Sequence, residues 1–242
     1  MKISIFIKKF KNSFLTPRLH NLLIKKKQYD TVLEGKYSET LIQKILLKLF
    51  YFYPRLKETS TWAEGDIGKY RDYSLFEKFR PNIDEFTLDK IFELTLNKEL
   101  PVLDLGCNQG RCIRYLYKKG LKNLHGVDVM ESALKYFEEK YESIYKDCKL
   151  ECNFFQRYLN KTKDNFFYNS YTFGATIEIV HPSYNLIKEL VRVTKKNIIL
   201  LIDEDGHWYP RFYVYEFKKN NTKLIYYKKF ENNLSLLIFE KI

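Results

Sequence analysis

Two aspartates and two glycines carry the chemistry most legible in this chain. Asp104-x-Gly106-x-x-x-Gly110 follows the apolar run Val102–Leu105, and Asp128 stands eighteen residues after Gly110, in Leu124-His-Gly-Val-Asp-Val129. Glycines at such a turn let the backbone bend sharply and let a ligand approach the main chain. An acid ending the next strand can accept hydrogen bonds from both hydroxyls of a ribose. A pyrophosphate would want G-x-G-x-x-G, yet the position two after Gly106 is Asn108, and no Lys-Ser/Thr phosphate loop occurs. The pattern therefore points to a nucleoside ligand without pyrophosphate. Its plain structural alternative is an ordinary strand–turn–helix followed by a solvent-facing acid.

The elements that must position these residues start at Leu100. Val102–Leu105 reads as a buried strand, Arg111–Lys119 as a helix stopped by Gly120, and Leu124–Val129 as a second strand. Ser132–Tyr145 reads as one helix begun by a Ser cap. Leu150–Phe155 and Tyr171–Ile179 suit a third and a fourth strand, and Ser183–Val193 a helix. Asn197–Asp203 is the clearest buried strand. Lys223–Phe230 and Leu234–Glu240 close the chain as a hairpin across Glu231-Asn-Asn233. Strands alternating with helices imply an α/β fold with a mostly parallel sheet of seven strands. The closing hairpin adds antiparallel character at one edge.

Composition sets the outer limits. With 242 residues, 45% of them hydrophobic, the chain has material for a sizeable core, and 9 Gly and 6 Pro exclude collagen-like architectures. The net charge of +12 is uneven. Residues 1–57 hold 13 Lys+Arg against 3 Asp+Glu, whereas residues 58–242 hold 29 against 27. Two regions follow: a basic, mainly helical extension over 1–57, and a nearly neutral body over 58–242 whose first part, 58–98, leads into the sheet. The apolar stretch Ile3–Ile7 is shorter than a secretory signal core, and Ile42–Tyr53, broken by Lys44 and Lys48, is too short and too charged to span a membrane. The four cysteines form neither a disulfide framework nor a CxxC pair, and the four histidines are scattered, so no metal site is expected and the thiols read as buried. A reducing cytoplasm is the expected location.

On these residues the body resembles the class I S-adenosylmethionine-dependent methyltransferases, which are Rossmann-like. Val102-Leu-Asp-Leu-Gly-Cys-Asn-Gln-Gly110 is similar to their first motif, and His125-Gly-Val-Asp-Val-Met130 to their second. The similarity continues through Ile177–Leu190 and Thr194–Leu201, with helices on both faces of the sheet implied. By this resemblance Asp104 approaches the methionine amino group, and Gly106 and Gly110 admit the cofactor, with Cys107 and Asn108 between them. Asp128, with Val129 beside it, holds the ribose. Arg71, in Tyr70-Arg-Asp-Tyr73, is a candidate partner for the cofactor carboxylate, or else a surface arginine. Asn108 replaces the glycine usual there, and Asn tolerates positive φ. The acid usual after the third strand is missing; Phe155-Gln-Arg-Tyr158 stands at that place.

Methyl transfer from a sulfonium is an in-line displacement in which alignment supplies much of the rate. A hydroxyl acceptor also benefits from a positioned base. His207 after the fifth strand, His181 after the fourth and Glu178 beside it are the candidates, although His181 is also suited to ending a strand before Pro182. Trp208-Tyr-Pro-Arg-Phe-Tyr213 offers aromatics and an arginine to a sugar or a phosphate, unless Phe212 and Tyr213 begin a core-facing helix. DNA base methylation is disfavoured, because no Asp/Asn-Pro-Pro-Tyr/Phe sequence follows the fourth strand and no cysteine follows a proline. The expected acceptor is a small polar molecule: a hydroxyl of a sugar, a sugar nucleotide or a lipid-linked glycan precursor, as in polysaccharide biosynthesis. The basic region suits an anionic membrane surface, giving a cytoplasmic protein peripheral to the membrane. RNA, tracked by Lys8, Lys9, Lys11 and Lys25–Lys27, is the enzymatic alternative. A non-catalytic methyltransferase-like binding subunit is the other.

Overall fold

The structure, a computed structural model, describes residues 73–174, 176–180, 184–203, 211, 213–230 and 234–242. The whole basic extension lies outside the described residues. A 3-10 turn at Tyr73–Phe76 precedes α1 (Asp84–Glu93), β1 (Val102–Leu105), α2 (Arg111–Lys118) and β2 (Leu124–Asp128). Then come α3 (Glu131–Lys140), α4 (Glu142–Asp147), β3 (Lys149–Cys152), α5 (Phe155–Lys161) and β4 (Phe167–Phe173). A 3-10 turn at Ile177–Ile179, α6 (Leu186–Val193), β5 (Thr194–Asp203), α7 (Tyr213–Lys218), β6 (Thr222–Lys229) and β7 (Leu234–Lys241) complete the order.

The seven strands form one sheet in the order β3-β2-β1-β4-β5-β7-β6. The β1–β2, β1–β4, β2–β3 and β4–β5 pairs are parallel, and β7 runs antiparallel to β5 and β6. Alternation along β5 shows how the core divides. Ile198, Leu200 and Ile202 face α5, α6 and α7, while Ile199 and Leu201 face the layer of α1, α2 and α3. A strand buried on both faces must be apolar throughout, which is why this run is so plain in the sequence.

Several boundaries differ from the sequence expectation, each for a local reason. The expected helix Ser132–Tyr145 breaks at Tyr141 (φ −136, ψ 45) into α3 and α4. Ser132 is not its cap: the cap position is Met130, and the Ser132 hydroxyl instead meets the Tyr73 phenol at 2.7 Å. β3 stops at Cys152, three residues before its expected end at Phe155, because the Asn153 side chain accepts from the Phe154 N–H and the chain turns into α5. β4 begins at Phe167 and ends at Phe173, since Gly174 (φ +71) turns the chain and Ile177–Ile179 coils. α6 starts at Leu186, with the Asn185 side chain accepting from the Lys188 N–H at 3.1 Å. Cys107 and Cys112 are buried as expected, but Cys152 is exposed.

Candidate functional site

β1 is flanked by β2 on one side and β4 on the other, so the chain leaves it in opposite directions. The crevice at the carboxyl ends of strands at such a switch point is where open α/β sheets bind ligands. The turn after β1 is anchored there: the N–H groups of Gly106 and Cys107 both donate to the Val127 carbonyl, at 2.9 and 3.2 Å. Gly106 (φ +90), Asn108 (φ +47) and Gly110 (φ +70) all take left-handed backbone, so the asparagine adopts the conformation that glycine would supply. The Asp128 carboxylate accepts the Asn108 N–H at 2.8 Å and the Met130 N–H at 2.9 Å, locking the turn to the end of β2.

Asp104 lies deeper. It is 2% exposed, and Tyr171 donates its phenol to Oδ2 at 3.0 Å from the registered position on β4. Burial pushes its carboxyl up to about 8; the Tyr171 hydrogen bond opposes this, the Asp128 charge adds to it and Arg111 opposes it.

The glycines divide by what fills the missing Cβ. At Gly106 that position is 2.5 Å from Thr176 Oγ1, so the segment after β4 closes directly on the turn. At Gly110 it is 2.0 Å from the Phe137 ring of α3, and Gly126 in β2 is packed by Ile113, Leu150 and Cys107. At Gly174, past the end of β4, nothing among the described residues lies within 4 Å, leaving an open cradle beside the Thr176–Gly106 contact. The sequence reading missed Gly174, Thr176 and Tyr171. The turn glycine was the available signal for the first, whereas nothing local marks the other two.

The remaining site candidates divide as follows. Glu178 sits in the 3-10 turn after β4 and is 1% exposed; its Oε2 accepts the Thr176 N–H at 3.1 Å, and its Oε1 has no partner among the described residues. Burial raises its carboxyl to about 7, opposed by main-chain N–H groups of Glu178, Thr176 and Asp203 and by the Arg211 charge. His181, His207 and Arg71 lie outside the described residues. Arg211 corrects an expectation: it is not offered to a phosphate but is 2% exposed, donating to the carbonyls of Ile177 (3.2 Å) and Val180 (2.9 Å) and paired with Glu216. Tyr213 begins α7 and faces the core. His125, within β2, is pushed down to about 4 by burial and by Lys149, so it is neutral near pH 7. Among the described residues no group of His, Cys, Asp and Glu is placed to hold a metal ion, and no helix is long and apolar enough to cross a membrane.

Residues 102–197, from β1 into β5, match the family model described as a methyltransferase domain. Over these residues the chain carries a methyltransferase domain, set in a Rossmann-like fold. Solved structures agree on the fold. The magnesium protoporphyrin IX methyltransferase of Synechocystis PCC 6803, solved with bound SAM, is 12% identical, with a TM-score of 0.56 covering 85% of this chain and 100% of that one. The PH0226 protein of Pyrococcus horikoshii OT3 is 18% identical, with a TM-score of 0.54 over 70% of this chain and 98% of that one. A SAM-dependent methyltransferase of Methanosarcina mazei is 16% identical, with a TM-score of 0.52 over 63% and 97%. No curated protein matches the sequence.

The cofactor that the resemblance implies is S-adenosylmethionine (SAM). The residues present fit it: a carboxylate fixed by two main-chain N–H groups at the end of β2, a buried acid under the turn, and an open cradle at Gly174.

Proposed function

We propose that this methyltransferase domain acts on an oxygen of a small polar acceptor: a hydroxyl of a sugar, a sugar nucleotide or a lipid-linked glycan precursor. The observation that carries the reading is Glu178, a buried carboxyl after β4 with one oxygen unpartnered among the described residues and an affinity for protons raised into the neutral range. When bound, SAM supplies an electrophilic methyl group. Asp128 accepts the ribose hydroxyls, held in orientation by the N–H groups of Asn108 and Met130. Thr176, closed on Gly106, ties the segment bearing Glu178 to the turn that cradles the cofactor. Glu178 takes the proton of the acceptor hydroxyl at Oε1, which suits a group titrating near the working pH. Arg211 holds the carbonyls on either side of Glu178 and limits its motion. His207 and His181 are the other candidates for the same proton transfer.

The basic residues of 1–57 bring the domain to an anionic membrane surface, where a lipid-linked acceptor resides. The neighbour that acts on magnesium protoporphyrin shows only that this fold serves acceptors far larger than a sugar.

The test is release of S-adenosylhomocysteine (SAH) from SAM in the presence of sugar nucleotides, lipid-linked glycan extracts or total RNA. Turnover with the glycan acceptors, lost about 100-fold in Glu178→Gln with SAH affinity unchanged, is the expected result. Turnover with RNA alone would replace the reading by RNA methylation. SAH binding without turnover on any acceptor class would favour a binding subunit. Deletion of residues 1–57 is expected to abolish sedimentation with anionic liposomes.

A further inference from the structure

Asp104 and Asp128 lie on neighbouring strands beside the same turn, yet they are solvated by the protein in different ways. Asp128 takes a main-chain N–H on each oxygen, at 2.8 and 2.9 Å. That arrangement suits a permanent negative charge, because charge-assisted bonds from fixed donors replace water. Asp104 is buried, and among the described residues the Tyr171 phenol at 3.0 Å is the only donor to its carboxyl. The groups facing it are unhelpful to a charge. Cys107 from the turn and Cys112 from α2 are neutral thiols whose own ionisation is disfavoured by burial, and Asp128 from β2 repels it. Arg111, at the start of α2, is the cation that faces it, but its guanidinium is already bonded to Asp84 at 3.1 Å and to the Lys78 carbonyl.

A buried carboxylate with one neutral donor and a cation shared with another acid is costly, and such a group keeps its proton instead. We propose that Asp104 is protonated in the ligand-free protein and ionises when the ammonium group of SAM or SAH arrives. Binding then releases one proton, and Tyr171 is the positioning residue that presents the carboxyl from β4. The proton passes from the Asp104 carboxyl oxygen to solvent; the ammonium keeps its charge, and a carboxylate–ammonium pair replaces a neutral acid. The burial-driven rise of this carboxyl to about 8 supports the direction. The inference rests on SAM occupying the turn after β1.

The experiment is calorimetry of SAH with the full chain between pH 6 and 7, where the ligand amine stays charged. Each titration is run in two buffers of different ionisation heat. Release of about one proton and an affinity rising close to tenfold per pH unit are expected. Asp104→Asn is expected to bind SAH more weakly with no proton released. Tyr171→Phe, which leaves the carboxyl in place without its donor, is expected to weaken SAH binding across this range while still releasing about one proton. SAH binding by the wild type without proton release would overturn the inference, as would release unchanged in Asp104→Asn or an SAH affinity unchanged in Tyr171→Phe. Absence of any SAH binding would instead overturn the cofactor reading of the site, and this inference with it.

Discussion

The Asp128 carboxylate accepts the main-chain N–H of Asn108 at 2.8 Å, so the acid ending β2 and the turn after β1 are one rigid unit. Its other oxygen accepts the Met130 N–H at 2.9 Å and fixes the entry to α3. Asp128→Ala therefore removes the acceptor of one buried and one partly buried donor as well as the proposed contact for ribose. SAH affinity is expected to fall at least tenfold in calorimetry, and stability by about 1–3 kcal/mol in urea melts. Asp128→Asn, which retains one acceptor oxygen, is expected to fall between wild type and Asp128→Ala.

Asp104 makes the ligand-free fold sensitive to alkali. Its carboxyl is raised in the fold to about 8 from an ordinary value of 3.8, so between these limits the native state binds more protons than the unfolded one. Its stabilising contribution is complete below about pH 4 and is lost as pH rises through about 8. Urea melts of the wild type at pH 5 and 8.5 are expected to show stability falling. In Asp104→Asn the fall is expected to be smaller by about 1–3 kcal/mol.

Glu77 has the opposite sign. Burial raises its carboxyl, but hydrogen bonds from Lys140, Tyr136 and Tyr141 and the Arg114 charge outweigh this and bring it down to about 2. These bonds, at 2.7, 2.7 and 2.9 Å, hold the segment bearing Glu77 against α3 and its end. The contribution is present above about pH 4.5 and fades as pH falls toward 2. Because the group is partly solvated, Glu77→Ala is expected to cost only about 1 kcal/mol. Hydrogen exchange should quicken over residues 73–80 and leave β4 and β5 unaffected.

Two glycines with nearly the same φ separate packing from ligand approach. Gly110→Ala (φ +70) drives a Cβ to 2.0 Å from the Phe137 ring and is expected to cost about 3 kcal/mol or more, or to prevent folding. Gly174→Ala (φ +71) meets open space, so only the backbone penalty of about 1–2 kcal/mol applies. A thermal melt checks both. If Gly174 lies against the bound cofactor or acceptor, the folded Gly174→Ala protein should also lose SAH affinity or turnover.

Much of the turn after β1 was legible because its signals are local. Gly106, Asn108 and Gly110 are residues that tolerate left-handed backbone, and they fall where an apolar strand must turn sharply into a helix. Local pattern misled where distant contacts overrode it. Ser132 looked like a helix cap but meets the Tyr73 phenol, fifty-nine residues away in sequence. Arg211 looked like a phosphate ligand but is consumed by the carbonyls of Ile177 and Val180. The tail of β4 read as strand because Ile177 and Ile179 are apolar, whereas Gly174 had already turned the chain.

The sequence by itself determined the alternation of strands and helices, the glycine-bearing turn after β1 and the acid that ends β2, since each follows from hydrophobic period and backbone stereochemistry within a short window. Only the tertiary structure decided how each acid is solvated. Asp104 and Asp128 are the same residue type in similar strands, and their protonation depends on how many donors the neighbouring strands and turns bring to each carboxyl. Likewise, the sequence could place Glu178 after the fourth strand. Its burial and the unpartnered Oε1 arise from the packing of β4, β5 and Arg211, which no local pattern encodes.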